Sequence, residues 1–158
     1  MIVVTVGTQF FDELIAEVDR LVATGVIRDD VYAQIGQCRE TPRHISCVRF
    51  DRSLHEKMRA ADLIITHAGT GCVIEAIELG KPFIAVVNQG KAGDHQREFL
   101  ESLQTTHDFC WIASPAELAS ALPKARPARA LQANRLQQLC DDIEREILAA
   151  CGAVRAIP

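Results

Sequence analysis

Short apolar runs alternate along this chain with segments of helical periodicity, and this alternation constrains the fold more than any other feature. Residues 3–6 are largely apolar and β-branched and precede Gly7, a pattern typical of a buried strand. The next apolar side chains recur three and four residues apart, which predicts a helix that ends at Gly25. Alternating strands and helices form a mostly parallel sheet with helices on both faces. We therefore expect an α/β, doubly wound, Rossmann-like fold.

The same two patterns predict the other elements. Further strands are expected at residues 31–35, 45–50, 63–66, 83–87 and 109–112, and further helices at residues 53–60, 71–79, 94–103, after Pro115 and at about 128–151. Ser53 and Glu56 have the spacing of a capping box, and Asp94 is a candidate N-cap. Only residues 36–44 separate the second and third strands, whereas a parallel crossover usually needs about a dozen residues. That link is either an unusually short crossover or a different pairing.

Length and composition indicate one soluble domain over residues 1–158. Hydrophobic residues make up 48% and charged residues 24% of the chain, which is enough for a packed core. The sequence pI near 5.7 lacks the basic character of nucleic-acid-binding domains. No apolar run approaches the roughly 20 residues of a membrane-spanning helix, and no basic leader opens the chain. The six cysteines form no C-x-x-C pair and are expected to be free thiols.

Two loops at the carboxyl ends of predicted strands have the chemistry of anion binding. Ligands of open parallel sheets bind at these ends, near the point where the strand order reverses. Each loop leads into a helix, whose first N–H groups are unpaired and lie at the positive end of the helix dipole. The donors and glycines that accompany them are Gly7 and Thr8 in the first loop, and His67, Gly69, Thr70 and Gly71 in the second. Phosphate binding and simple tight turns are equally good interpretations of these glycines at this point.

Two other groups of side chains suit the hydroxyl groups of a ligand. Glu75 lies about one turn into the helix after the second loop and can accept two hydrogen bonds from vicinal hydroxyls, such as those of a ribose. A solvated helix face is the commoner role for such a carboxylate. Asp94, His95 and Gln96 follow a glycine-containing loop and together suit a polyol, although Asp94 alone suits an N-cap.

Several familiar sites are absent from the sequence. It contains no G-x-G-x-x-G after the first strand, no G-x-x-x-x-G-K-[ST] loop and no G-x-S-x-G elbow. The five histidines show no metal-ligand spacing with one another or with the cysteines, and no D-x-D occurs. We therefore expect neither a dinucleotide nor a metal cofactor.

Three blocks in this order resemble the small, donor-binding subunit of split family 28 glycosyltransferases. They are residues 4–8 with the following Phe11 and Asp12, residues 61–71 with Glu75 and residues 80–82, and residues 94–96. This group includes the eukaryotic dolichol-linked N-acetylglucosaminyltransferase catalytic subunit and the bacterial exopolysaccharide glycosyltransferase small subunits. Gln9 and Asp94 depart from the eukaryotic pattern and make the chain more similar to the bacterial branch.

The resemblance implies the C-terminal half of a GT-B fold and a UDP-sugar as donor substrate. By this resemblance the ribose is held by Glu75, and the diphosphate by Gly7, Thr8, His67, Gly69, Thr70 and Gly71. The resemblance also assigns the sugar to Asp94, His95 and Gln96. The residues that it places toward the uracil are Asp51, Arg52 and Leu54. His67 is the one candidate for a catalytic role, with phosphate contact and shaping of the turn as its alternatives. The donor sugar is left open.

The resemblance also implies a partner that supplies the acceptor half. A membrane-associated subunit would bind the lipid-linked saccharide acceptor and supply the general base, which places this chain in the cytoplasm at the inner face of the membrane. The expected reaction is inverting transfer of a hexose in bacterial exopolysaccharide biosynthesis. Residues 136, 139, 143 and 147 form an apolar stripe that either packs on the domain's own sheet or docks this partner. The alternative function is a non-catalytic nucleotide or nucleotide-sugar binding regulatory module; an epimerase is disfavoured because its chemistry requires both halves.

Overall fold

The computed structural model of the chain describes residues 1–131, with the backbone alone at residues 91–93. The elements, in chain order, are β1 (Ile2–Thr5), α1 (Asp12–Ala23), β2 (Val31–Gln34), β3 (Ser46–Val48), α2 (Leu54–Ala60), β4 (Leu63–His67), α3 (Thr70–Glu78), β5 (Phe83–Val86), α4 (Gln89–Gln104), β6 (His107–Asp108), β7 (Cys110–Ile112), α5 (Leu118–Ala121) and β8 (Arg129–Ala130). Single 3-10 turns flank α5 at Pro115–Glu117 and Leu122–Lys124.

Six strands form one sheet in the order β3-β2-β1-β4-β5-β7, and every pair in it is parallel. The chain runs outward from β1 to β2 and β3, then returns to the other side of β1 at β4. Such a reversal leaves a crevice at the carboxyl ends of the two central strands. The predicted doubly wound, Rossmann-like α/β fold is therefore confirmed, with its switch point between β1 and β4.

The sheet is buried on both faces, because its strands alternate side chains between two apolar layers. One layer contains Val4 of β1 together with Leu14 and Val18 of α1. The other contains Val3 of β1 together with Leu100 of α4, and it includes buried residues of α2 and α3. The apolar stripe that predicted α1 is thus the face that covers one side of the sheet. Within residues 1–131, no helix is long and apolar enough to cross a membrane.

The link between β2 and β3 is an unusually short crossover, the first of the two alternatives. β2 and β3 pair in parallel, although the chain between them forms no helix. Two carboxylates of α1 hold this segment instead. Asp12 accepts the N–H groups of residues 39–40 at 2.7 and 3.2 Å, and Asp19 accepts those of residues 43–44 at 3.0 and 2.6 Å. These bonds satisfy backbone groups that a crossover helix would satisfy internally.

Three local predictions are wrong. α4 begins at Gln89, five residues before the predicted start, because Asn88 is its N-cap and accepts the N–H of Gly90 at 3.2 Å. Asp94 therefore lies inside the helix and is not its N-cap. Ser53 does precede α2, but its hydroxyl donates to Asp51 at 2.7 Å and makes no capping bond. The predicted capping box is replaced by this bond across the preceding turn.

The end of the described chain adds a feature that the sequence patterns did not predict. β8 pairs with β6 as a small antiparallel ribbon, with His107 opposite Ala130. Strands of two residues have no recognisable periodicity, so this ribbon leaves no signal in the sequence. It also shows that the first residues of the predicted helix at 128–151 are extended. The remainder of that helix, with its apolar stripe, lies outside the described residues. The four described cysteines, Cys38, Cys47, Cys72 and Cys110, are free thiols as predicted.

Candidate functional site

The two predicted anion-binding loops lie side by side at the switch point. β1 and β4 are neighbours, with Thr5 opposite Thr66 at their carboxyl ends. The loop that begins at Gly7 follows the first strand, and the turn to α3 follows the second. The fold thus brings together two segments that are about 60 residues apart in sequence, as the general rule for ligand sites in open parallel sheets requires.

The imidazole of His67 fills the space between the two loops. His67 is only 4% exposed. A Cβ on Gly69 would lie 2.2 Å from its Nε2 atom, and a Cβ on Gly7 would lie 3.0 Å from its Cε1 atom. Gly7 also has a φ of +63°, a conformation that favours glycine. Both glycines are therefore required by the packing of one ring, which is a reason for their presence that the sequence did not reveal.

His67 is a neutral side chain at pH 7. Burial lowers its pKa from the ordinary 6.5, and the nearby Thr5 backbone offsets this effect only in part. Among the described residues its Nδ1 atom has no hydrogen-bond partner. A neutral, enclosed ring shapes the turn and supplies no positive charge to an anion. Contact of His67 with phosphate and a catalytic role for it stay predictions.

The donors of the second loop face outward at the start of α3. Thr70 and Gly71 are exposed, and a Cβ on Gly71 would meet nothing within 4 Å. The first turn of α3 contains no acidic residue that would neutralise the positive end of the helix dipole. Thr8 is likewise exposed on the neighbouring loop. This arrangement offers unpaired N–H groups and hydroxyls to an anion at the sheet edge.

Glu75 lies one turn further along α3 and is held by a residue that the sequence analysis did not select. His55 of α2 places its Nδ1 atom 2.7 Å from Oε1 of Glu75, and the Nη2 atom of Arg59 lies 2.9 Å from Nε2 of His55. His55 and Glu75 are 20 residues apart on different helices, and no sequence pattern connects them. The sequence patterns considered His55 only as one of five histidines without metal-ligand spacing.

The loop predicted to face the uracil is organised by the carboxylate of Asp51. This carboxylate accepts the hydroxyl of Tyr32 at 2.6 Å and the N–H of Ser53 at 2.8 Å, and it pairs with Lys57 at 3.0 Å. The hydrogen bond from Tyr32 is the largest of the contributions that hold the pKa of Asp51 well below its usual value. Burial, reinforced by Asp51, raises the pKa of Tyr32 to about 12. The Asp51 side chain is thus committed to the loop.

Any contact of this loop with a base would therefore use its backbone or its other side chains. Arg52 is exposed and Leu54 is half-buried. The uracil-facing role of these two residues and of Asp51 stays a prediction.

Gln34 connects this loop to the first anion-binding loop. Its buried amide donates from Nε2 to the carbonyl of Gly7 at 3.0 Å and accepts the N–H of Asp51 at its Oε1 at 2.9 Å. The carboxyl ends of β1 and β3, which are separated by β2, are therefore held in a defined relation by one side chain. The sequence patterns placed Gln34 in a strand and gave it no further role. A polar residue within an apolar strand is the one signal that could have identified it as a candidate site residue.

The third group of predicted residues lies in the second turn of α4. Gln96 is buried, and its Oε1 accepts the N–H of Asn88 at 2.8 Å. Asn88 in turn donates from Nδ2 to the carbonyl of Phe10 at 2.9 Å, so the loop after β5 is joined to the loop after β1. Asp94 and His95 are exposed, the side chain of His95 by 89%. Among the residues that the structure describes, no hydrogen bond or ion pair joins these three side chains to one partner, and their role toward a sugar stays a prediction.

A pocket of about 430 Å³ lies beside this site and not at its centre. It is bounded by α1, the loop after β5 and the turn at residues 114–116, with Phe11 and Asn88 in its wall. None of the predicted anion-binding, ribose or base-facing residues lines it. Within residues 1–131, the candidate site at the switch point is exposed at Thr8, Thr70 and Gly71.

Comparison with known protein families shows to which family the chain belongs. The family model described as the glycosyltransferase family 28 C-terminal domain matches residues 1–142. The chain belongs to glycosyltransferase family 28. The predicted resemblance to this family is thereby confirmed.

The relatives and structures that it resembles agree with this assignment. The UDP-N-acetylglucosamine transferase subunit ALG13 of Mus musculus is 34% identical in an alignment that covers 82% of this chain and 12% of the relative. The protein of the same name from Candida albicans is 28% identical over 73% of this chain and 41% of the relative. The chain thus spans less than half the length of these relatives.

Two solved structures have the same fold at 18% identity. A solution structure of ALG13 gives a TM-score of 0.50 over 77% of this chain and 82% of that one. The glycosyltransferase of kitacinnamycin gives 0.53 over 78% and 34%. At this identity the two matches support a shared fold and nothing further. These comparisons do not support the predicted bacterial exopolysaccharide branch, which stays a prediction.

Proposed function

We propose that this chain is the donor-binding subunit of an inverting, UDP-sugar-dependent glycosyltransferase. The observation that carries the proposal is the switch point itself: in a family 28 domain, two glycine loops packed on one histidine lie next to an exposed helix N-terminus. Glu75 follows one turn later on the same helix. Anion donors followed by a carboxylate match the order of diphosphate and ribose in a nucleoside diphosphate.

The proposed binding mode uses each loop for one part of the donor. The N–H groups and hydroxyls at Thr8, Thr70 and Gly71 hold the diphosphate, Glu75 accepts the ribose hydroxyls, and the loop at residues 51–54 faces the uracil. When the acceptor hydroxyl displaces UDP from the anomeric carbon, negative charge grows on the leaving diphosphate. Fixed N–H dipoles at that position stabilise the transition state without reorganising. The proposed binding mode requires no metal ion.

The proposed enzyme requires a second subunit for the acceptor. The relatives are themselves named as subunits of a transferase, which supports an assembly of more than one chain. We assign the acceptor site, the general base and the membrane association to that partner. By this proposal the chain acts in the cytoplasm at the inner face of the membrane and adds a hexose to a lipid-linked saccharide. The names of the relatives make UDP-N-acetylglucosamine the first donor to test. The exopolysaccharide context rests on the sequence departures at Gln9 and Asp94.

A second candidate is a regulatory module that binds the nucleotide without transferring a sugar. One observation favours it: the Oε1 of Gln96, a predicted sugar contact, is already used on the backbone of Asn88. Such a module would bind UDP and every UDP-sugar alike.

Calorimetric titration of the whole chain with UDP and a panel of UDP-sugars tests both candidates. The variant Glu75→Ala should weaken UDP binding at least about tenfold, since a hydrogen bond to a charged group contributes about 1.5–3 kcal/mol. Glu78→Ala is the matched control, because Glu78 is exposed on the same helix. Equal UDP affinity in the two variants would contradict the proposed ribose contact. Preference for one UDP-sugar supports the donor subunit, whereas equal affinity for all of them favours the regulatory module.

A further inference from the structure

A chain of hydrogen bonds from α2 ends on the carboxylate that we assign to the ribose. Arg59 lies one turn after His55 on α2, and its Nη2 atom is 2.9 Å from Nε2 of His55. The other ring nitrogen, Nδ1, is 2.7 Å from Oε1 of Glu75 on α3. Two helices that flank the switch point are thus connected through one imidazole.

The direction of these bonds follows from the chemistry of arginine. A guanidinium has donors and no acceptor, so Nε2 of His55 must accept from Arg59. A ring whose Nε2 accepts carries its proton on Nδ1, and that proton is donated to Glu75. Arg59 therefore sets the tautomer of His55, and His55 in this tautomer holds one oxygen of the carboxylate.

The other oxygen of Glu75 is left for a ligand. Oε2 has no hydrogen-bond partner among the described residues, and Oε1 keeps a second acceptor site. A free glutamate would populate many rotamers, and ordering it on binding costs conformational entropy. Held by His55, the carboxylate is already directed by the protein before the ligand arrives, which increases the contribution of each ribose hydroxyl bond.

The same contacts contribute little to folding. The side chains of His55 and Glu75 are 50% and 31% exposed, and exposed pairs of this kind contribute little to stability. If His55 positions Glu75, its replacement should change ligand binding. If its role is in stability, its replacement should lower the melting temperature.

We propose that His55, oriented by Arg59, is the positioning residue that directs Glu75 at the ribose and sets the preference of the site for ribose over 2′-deoxyribose. This inference rests on the proposed function, because it takes Glu75 as the ribose contact. It adds two residues of α2 that touch no part of the donor.

The test compares UDP with 2′-deoxy-UDP by calorimetric titration of the whole chain. The unmodified chain should prefer UDP by about tenfold, the usual effect of a charged hydrogen bond. His55→Ala should reduce this ratio to about twofold, because UDP loses two supported hydroxyl bonds and 2′-deoxy-UDP loses only the one to its 3′-hydroxyl. The melting temperature should stay nearly unchanged. His55→Asn should restore most of the preference, because its amide can donate from nearly the same position as Nδ1. Glu56→Ala, the exposed neighbour on α2, is the matched control and should keep the full ratio.

The outcomes separate this inference from the proposed function. A full ratio in His55→Ala, or equal weakening of both ligands, overturns the positioning role while Glu75 stays the ribose contact. An unmodified chain that binds both ligands equally, or binds neither, overturns the assignment of Glu75 itself and this inference with it.

Discussion

Replacing Gly69 with alanine should destabilise the chain through a single side chain, His67. Gly69 has φ −77° and ψ 132°, which any residue adopts, so the substitution introduces no backbone strain. Its new Cβ would lie 2.2 Å from Nε2, 2.8 Å from Cε1 and 3.0 Å from Cδ2 of His67. Carbon and nitrogen atoms normally approach to roughly 3.5 Å, so the overlap exceeds about 1 Å. The buried ring cannot move toward Gly7, because it already fills the space over that residue.

Overpacking of this kind typically costs about 1–3 kcal/mol of unfolding free energy. For a domain of this length, that loss corresponds to a melting temperature lower by about 2–12 °C. Gly71→Ala is the matched control, because its Cβ would meet nothing within 4 Å and the residue is helical. Alanine in place of a helical glycine should raise stability by about 0.5–1 kcal/mol, so the same chemical change two residues apart has opposite signs.

Thermal unfolding followed by circular dichroism measures both variants. The cause is tested by a double-mutant cycle with His67→Ala, which removes the ring that Gly69→Ala meets. We expect the two substitutions to compensate by at least about 0.5 kcal/mol, as directly contacting residues do. Equal melting temperatures for Gly69→Ala and Gly71→Ala, or strict additivity in the cycle, would refute the packing of His67 between the two loops.

Three other predictions test the neighbouring loops. Gln34→Glu removes the amide donor to the carbonyl of Gly7 and places an oxygen against that carbonyl. UDP binding measured by calorimetry should therefore weaken about tenfold. Unchanged binding would show that Gln34 does not hold the loop that begins at Gly7. Because the folded state lowers the pKa of Asp51, its carboxylate stabilises the fold above the ordinary pKa of 3.8, and this stabilisation is lost as the pH falls below it. In urea unfolding, the free energy of unfolding of Asp51→Asn should therefore fall less with acidification than that of the unmodified chain. An identical pH dependence in the two proteins would contradict the link between this carboxylate and stability. Tyr32 is the only tyrosine, so phenolate absorbance reports it alone. The midpoint should lie near pH 12 and fall only part of the way toward 10 in Asp51→Asn, because burial of the ring remains. An identical midpoint in the two proteins would contradict the contact.

Much of the candidate site was predictable because its glycines and hydroxyls follow strands that are themselves predictable. Gly7, Thr8 and Thr70 are found at the sheet edge where the strand pattern places them. The partners of these groups were not predictable. The sequence left phosphate contact, catalysis and shaping of the turn open for His67, and it did not reveal that the ring is enclosed between the two loops. It placed Gln34 only in a strand and gave no sign of its contact with Gly7. Both depend on contacts between strands, which periodicity does not encode.

The start of α4 shows why the boundaries of elements were less accurate than their existence. Asp94 is a good N-cap by residue type, and so is Asn88. The amide of Asn88 is the one that also reaches Phe10, 78 residues away in sequence, and this bond places the loop and the helix start together. A choice between two suitable caps was therefore made by tertiary contact.

The sequence by itself determined the order of the elements that form the six-stranded sheet and its helices, the doubly wound fold and the family, because strand and helix periods and short motifs are local properties of the chain. Only the tertiary structure decided which side chains share the switch point. His55 meets Glu75 across two helices, and Asp12 and Asp19 replace a crossover helix between β2 and β3. These contacts join residues that are 20 to 28 positions apart in sequence. They form only after the sheet has brought the two residues of each pair within hydrogen-bonding distance.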